Sequence, residues 1–204
     1  MYKNSLEIYK FLDTKNLLQN SPKYWWPNAG TFEVVVGAVL TQNTTWKNVE
    51  KSLQNLALCL DLESFTALHA EELKEKIRPS GFYNQKAPRL LQLAKNIKND
   101  FGDFHSFVKK VTREWLLMQK GIGEESADAI LCYACLRDEM VVDSYTKRLL
   151  KSFGIEFKNY RQYKEFLESG IKEAFTCKDL NFIYARYHGM IVEYNKIYTR
   201  SKLK

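Results

Sequence analysis

Residues 29–41 are apolar nearly all the way round: Phe32, Val35, Val36, Val39 and Leu40 share one helical face, with Val34 and Ala38 behind. A helix without a polar side must be enclosed by other elements, so this segment predicts the buried centre of a helical lobe. The rest of the chain supplies the enclosing helices. Residues 4–19 are amphipathic and stop at Ser21-Pro22; Trp46, Val49, Leu53 and Leu56 stripe the next helix. Leu90, Leu91, Ala94 and Ile97 stripe another after the turn-like Pro79-Ser80-Gly81. A short helix over 112–118 precedes Gly121-Ile122-Gly123, and a longer one follows to about Cys135. Further helices are expected near 144–153, 160–174 and 179–198, with Thr176-Cys177-Lys178-Asp179 as a capping box for the last. Met140-Val141-Val142 is β-prone but three residues long, and reads as a connector. The chain is therefore expected to be all-α, without internal repeat or low-complexity linker. Residues 29–135 would form one helical lobe and 1–28 plus 136–204 a second, with a basic cleft between them.

Lys and Arg number 31 against 24 acidic residues, a formal net charge of +7. That excess suits a polyanion, nucleic acid first, although many basic proteins are merely soluble. No apolar run reaches the roughly 18 residues that span a bilayer. Met1 to Glu7 turns amphipathic rather than building a signal peptide's apolar stretch, so a cytoplasmic location and no membrane association are expected; a monomer is expected as well. In a reducing compartment the four cysteines (Cys59, Cys132, Cys135 and Cys177) are expected as thiols. Cys132-x-x-Cys135 has the spacing of a metal or redox pair. However, Ala127, Ile130, Leu131 and Ala134 fall at i, i+3, i+4 and i+7 through it, so buried core thiols are the stronger reading.

Two features carry chemistry. In Gln119-Lys120-Gly121-Ile122-Gly123-Glu124-Glu125-Ser126-Ala127, glycines on either side of one aliphatic residue permit a very tight turn between two helices, since glycine accepts φ > 0. Such a turn leaves backbone N–H groups at the start of the second helix, where a phosphate binds without base selectivity. Taken alone, Gly-x-Gly reads more readily as an ordinary helix–helix turn. The second feature is Val141-Val142-Asp143-Ser144-Tyr145, in which Asp143 lies 20 residues beyond Gly123. An Asp before a helix is an N-cap, and the helix end helps keep its carboxylate ionised.

The combined pattern is more specific. Leu116-Leu117-x-x-Lys120-Gly121-Ile122-Gly123-x-x-Ser126-Ala127, followed by Val142-Asp143, resembles the helix-hairpin-helix and Gly/Pro-Asp signature of the endonuclease III superfamily of DNA glycosylases. Ala38-Val39-Leu40-Thr41-Gln42-Asn43-Thr44 resembles that superfamily's first core helix. Ile77-x-x-Ser80-Gly81-Phe82-Tyr83-Asn84-Gln85-Lys86-Ala87 is similar to its Gly-aromatic-Tyr-x-x-Lys-Ala segment. The resemblance covers about 30 to 150. It implies double-stranded DNA as partner, Asp143 as catalytic carboxylate, and Lys120, Gly121, Ile122 and Gly123 as the phosphate clamp. Gln42 would fill the gap left by an everted base; polar helix-end packing is its plainer reading.

Two departures from the superfamily narrow the expectation. Members that also cut the backbone use a lysine two residues beyond the second hairpin glycine, where this chain has Glu125. Without that amine no Schiff base forms by that route, so a monofunctional enzyme is implied, with Lys120 and Lys147 leaving lyase activity as a minor alternative. Many members also end in four cysteines holding an iron–sulfur cluster; after residue 135 only Cys177 occurs, and four thiolates are needed, so no cofactor is expected. The basic tail from Lys196 to Lys204 either covers that region or is a solvated helix end.

Tyr24-Trp25-Trp26-Pro27 and Trp46 resemble the base pocket of a cluster-free branch, the 3-methyladenine DNA glycosylases. The resemblance implies Trp25, Trp26, Pro27 and Trp46 as pocket walls, Trp46 standing for a phenylalanine, and Lys196 as a pocket lysine. Large aromatics otherwise simply pack a core. An N3-alkylated adenine is cationic, and electron-rich rings attract such a base by about 0.5–2 kcal/mol. Its glycosidic bond is already weakened, so Asp143 need only stabilise the oxocarbenium sugar and handle the water. His105 and His188 complete no recognisable catalytic or metal grouping in the sequence. The alternatives are a glycosylase/lyase for oxidised pyrimidines, a non-catalytic helix-hairpin-helix module, and a helical scaffold that does not bind DNA.

Overall fold

A computed structural model describes residues 2–176 and 179–198, and these are helical without a strand. The α-helices are α1 (Ser5–Asp13), α2 (Phe32–Leu40), α3 (Trp46–Asn55), α4 (Leu62–Thr66), α5 (Ala70–Ile77), α6 (Tyr83–Phe101), α7 (Phe104–Lys110), α8 (Arg113–Leu117), α9 (Glu124–Ala129), α10 (Ser144–Ser152), α11 (Tyr160–Ala174) and α12 (Leu180–Tyr198). Their starts follow sequence chemistry. Asn4, Asp61, Asp103, Thr112, Asp143 and Asn159 each accept the N–H of the residue three positions on. Each such cap contributes about 1 kcal/mol. No helix among the described residues is long and apolar enough to cross a membrane.

The chain divides into two compact units, Met1–Pro27 with Leu131–Lys204, and Asn28–Ile130. The expected division at residue 135 moves to residue 130, and Leu131–Cys135 group with the terminal unit. In the contiguous unit α2 packs against α3, α6 and α9, and Phe32 through Leu40 are all buried except Glu33. One of the buried polar residues of this unit is Lys86, 2% exposed, whose Nζ donates to the carbonyls of Leu40 at 2.8 Å and Ser80 at 2.9 Å. The lysine satisfies the end of α2, whose last carbonyls have no helical partner. Arg113 at the head of α8 pairs with the fully buried Asp128 of α9, Nε to Oδ1 at 2.7 Å, locking the two helices around the hairpin.

Burial pushes the Lys86 ammonium from its ordinary 10.5 down to about 8. Between those values the unfolded chain holds more protons than the folded one, so this residue's contribution to stability rises as pH goes from 8 to 10.5 and is lost again on return. Lys86→Met strands two buried carbonyls and is expected to destabilise the protein by about 2 kcal/mol at about pH 8. Chemical denaturation of both proteins at about pH 7.5 and pH 10 checks this; the gap between them should widen at the higher pH.

In the terminal unit α1 lies against α11 and α12, and α10 against α12. Their shared core includes Ile8, Leu12, Leu149, Leu150, Leu167, Tyr184, Tyr187 and Ile191. Gly170 permits the close passage of α1, since a Cβ there would stand 2.8 Å from Ser5 Oγ and 3.1 Å from the Leu6 nitrogen.

Three sequence expectations change. The first helix ends at Asp13 rather than near 19, because Asn16 takes the left-handed conformation (φ 53°) and 14–20 continue as turns. The helix expected to run to Cys135 leaves the α form at Ile130, and Ile130–Ala134 is a π turn. Asn181 on α12 holds it open by donating to the Cys132 carbonyl at 2.8 Å and that of Arg137 at 2.6 Å. Leu136 then turns left-handed (φ 52°) and the Arg137 N–H returns to the Leu131 carbonyl, closing the segment as a helix stop. Third, only one hairpin glycine needs its freedom. Gly121 has φ 87°, while Gly123 is extended at φ −99°, ψ −178°. The expected capping box at 176–179 includes Cys177 and Lys178, which lie outside the described residues.

Candidate active site

Asp143 is built into the start of α10. Its Oδ1 accepts the Thr146 N–H at 2.7 Å and the Thr146 hydroxyl at 3.0 Å, and its own N–H faces that hydroxyl, a complete capping box. This leaves Oδ2 for other work. Oδ2 stands 3.4 Å from His188 Nε2, with the carboxylate side chain 14% exposed and the imidazole 5%. Burial is the largest single influence on Asp143 and pushes its carboxyl upward. The charge and hydrogen bond of His188 and the two bonds from Thr146 together outweigh it, so the carboxyl sits below its usual range and Asp143 is ionised at neutral pH.

The histidine is held from the other side. Its Nδ1 lies 2.7 Å from the hydroxyl of Tyr133, a fully buried residue of the π turn, and that hydroxyl is 3.1 Å from the Ala185 carbonyl. Ala185 and His188 are one turn apart on α12, so a single tyrosine meets both. Burial, helped by Cys132 and Asp143, keeps the Tyr133 hydroxyl protonated far above its ordinary range.

Trp25 and Trp26 enter the same constellation. Trp25 has left-handed backbone (φ 66°), and its ring stands edge-on to His188 at 5.3 Å and perpendicular to Trp26 at 6.3 Å. Trp26 tilts over Tyr133 at 5.1 Å. The Trp25 indole N–H donates to Glu193 at 3.0 Å, and Lys196 donates to the same carboxylate oxygen at 2.8 Å while lying 5.9 Å over the Trp25 ring. Trp25 has room because residue 189 is glycine: a Cβ there would fall 2.4 Å from Trp25 Cγ. Pro27 ends the first segment of this unit.

Thus Asp143, Trp25, Trp26 and Lys196 share one unit. The hairpin, Gln42 and Trp46 belong to the other, where Trp46 opens α3 half-buried. Gln42 meets the hairpin within that unit, its Nε2 donating to the Gly121 carbonyl at 2.9 Å and to Ser126 Oγ at 3.0 Å. Ile122 is buried at 7% exposure and anchors the turn, while Lys120, Gly123 and Glu125 are exposed. Sequence reading missed Tyr133, His188 and Glu193. The expectation that His188 joins no grouping is corrected by its pairing with Asp143. Tyr133 and His188 are 55 residues apart, so no local spacing reveals them. His105 is exposed on α7. Cys132 and Cys135 are buried thiols outside any disulfide, and burial pushes Cys135 up to about 12. Among the described residues no three His, Cys, Asp or Glu side chains gather as a metal site.

An all-helical chain with a glycine hairpin, followed by a helix-capping, ionised aspartate, defines a class. Residues 36–173 match the family described as HhH-GPD superfamily base excision DNA repair protein, and the chain belongs to that family. It is similar to the crystal structure of H. pylori 3-methyladenine DNA glycosylase (MagIII) bound to 1,N6-ethenoadenine, at 48% identity and TM-score 0.91 over 95% of this chain and 97% of that one. A Methanocaldococcus jannaschii protein provisionally named a DNA repair glycosylase is 43% identical over 96% of this chain and 89% of its own length. A trapped endonuclease III–DNA covalent intermediate shares the fold at 18% identity, with a TM-score of 0.72 over 96% of this chain and 87% of that one.

Proposed function

We propose that this protein is a monofunctional DNA glycosylase that everts alkylated purines from duplex DNA, 3-methyladenine first, and hydrolyses their glycosidic bond. The observation carrying this reading is the ionised Asp143 sharing a unit with the paired rings of Trp25 and Trp26. Electron-rich rings favour a cationic base over neutral adenine, and a weakened bond asks for an anion rather than a strong acid. The likeness to the H. pylori enzyme supports the choice of base. Pro27 is assigned to the same pocket by analogy, with Lys196 acting through Glu193 on Trp25, and Trp46 is assigned to base contact by the resemblance alone. Asp143 stabilises the oxocarbenium sugar and takes a proton from the attacking water.

Phosphate contact is assigned to Lys120, Gly121, Ile122 and Gly123. Its support includes Gly123, since nothing lies within 4 Å of a Cβ added there, so nothing inside the chain calls for glycine. A closely approaching phosphate does. Gln42, braced on the hairpin, is the residue assigned to the gap left by the everted base. Glu125 at the superfamily's lysine position supports a reaction that ends with the strand intact.

Incubation with methylated duplex DNA tests this. 3-Methyladenine should appear among the released bases, strand nicks should follow only after alkali, and borohydride should trap no covalent adduct. A good yield of trapped adduct overturns the monofunctional assignment, and release confined to oxidised pyrimidines overturns the choice of base.

A further inference from the structure

We propose that His188 is a positioning residue for Asp143: it carries a proton on Nε2, directs it at Oδ2, and is held in that register by Tyr133. The inference rests on the reading of Asp143 as the catalytic carboxylate. The proton's place follows from the neighbours. His188 Nε2 is buried and has no partner at ordinary hydrogen-bond geometry, the polar atom facing it being Asp143 Oδ2 at 3.4 Å. A bare ring lone pair there would oppose an ionised oxygen away from water, so Nε2 bears the hydrogen.

The other ring nitrogen admits two arrangements. A neutral imidazole accepts the Tyr133 hydroxyl proton at Nδ1. An imidazolium instead donates to the Tyr133 oxygen while Tyr133 donates to the Ala185 carbonyl. Both keep the proton on Nε2. The ring cannot easily turn away, because Trp25 stands edge-on at 5.3 Å and Tyr133 at 5.9 Å. Around the pair the titratable and charged groups are Tyr133 and Cys132 from the π turn, and Glu193 and Lys196 farther along α12. Thr146 of α10 supplies neutral donors, and Glu193 and Lys196 pair with each other. With Thr146 fixing Oδ1 and His188 fixing Oδ2, the carboxylate plane has one orientation. The 3.4 Å gap is of the kind that shortens when substrate closes a site.

The test is single-turnover excision of 3-methyladenine from duplex DNA across about pH 3.5 to 8, with H188A, H188Q, Y133F and D143N. H188A should lose about 10–100-fold in rate, as for a hydrogen bond to a charged group. The acidic limb should move up by about one pH unit, because Asp143 loses the donor that favours its ionised form. His188→Gln places an amide N–H near Nε2 and should recover most of the rate at neutral pH; Y133F should shift the limb in the same direction by less. Duplex affinity should stay within about twofold throughout, since none of these changes touches the phosphate clamp. An acidic limb unmoved in both His188 variants overturns the inference, whatever their rates, since a purely structural role would lower the rate without moving it. Full activity in D143N overturns instead the reading on which the inference rests. If H188A does not fold, H188Q against wild type decides.

Discussion

Gly189→Ala should abolish base excision although residue 189 has no chemistry to offer. The methyl group would stand 2.4 Å from Trp25 Cγ, 2.7 Å from its Cβ and 2.8 Å from Cδ1, all of them the rigid root of the side chain rather than a flexible tip. Trp25 cannot yield by rotating: it is already in left-handed backbone and bound to Glu193 through its indole N–H. The ring must leave its place, and with it goes the face it presents beside Trp26 and His188. Overpacking of this kind costs about 1–3 kcal/mol of stability, which a domain of this size survives. Thermal unfolding and excision assays on Gly189→Ala, Trp25→Ala and the double variant check the cause. Trp25→Ala should remove the clash, so the stability losses should fall well short of additive, whereas excision should remain absent in all three. Additive stability losses would mean that the two residues do not meet.

Asp143→Asn is expected to remove excision as well, but without the loss of stability. Asparagine is as good an N-cap as aspartate, and its amide oxygen can still accept from Thr146. Folding and duplex binding should therefore hold, with the midpoint of thermal unfolding within a few degrees of wild type. The lost negative charge removes both the stabiliser of the sugar cation and the proton acceptor for water. Excision should fall by roughly 10²–10⁴-fold or more. Excision retained in a folded Asp143→Asn protein would mean that Asp143 is not the catalytic carboxylate.

Local chemistry made part of this molecule legible. The apolar run of α2, the helix start at Thr112, the cap at Asp143 and the Gly-x-Gly turn each depend on residues within a few positions, so periodicity and cap chemistry reveal them. Asp143 is the clearest case, because capping and catalysis ask for the same residue at the same place. The π turn was not legible: Asn181, 49 residues away, supplies the hydrogen bonds that hold it open, and the turn's own residues carry a sound α-helical stripe. The same holds for Lys86, which motif reading saw only as part of a pattern. Its burial depends on two carbonyls brought together by folding, one of them 46 residues distant. Tyr133 and His188 were invisible for that reason too, since an imidazole in an apolar helix reads as ordinary core until its partners are placed. Conversely, Gly123 looked like a conformational necessity, but its backbone is extended and a Cβ there would meet nothing within 4 Å.

The split of the terminal unit between residues up to Pro27 and those from Leu131 onward sets an order of assembly. As the polypeptide emerges from the ribosome, the contiguous unit with the hairpin can close while α1 and the two tryptophans wait for partners not yet made. Trp25 gains its seat, and Asp143 its histidine, only when α12 has been translated. A newly made chain can therefore complete its glycine hairpin before Asp143 meets His188.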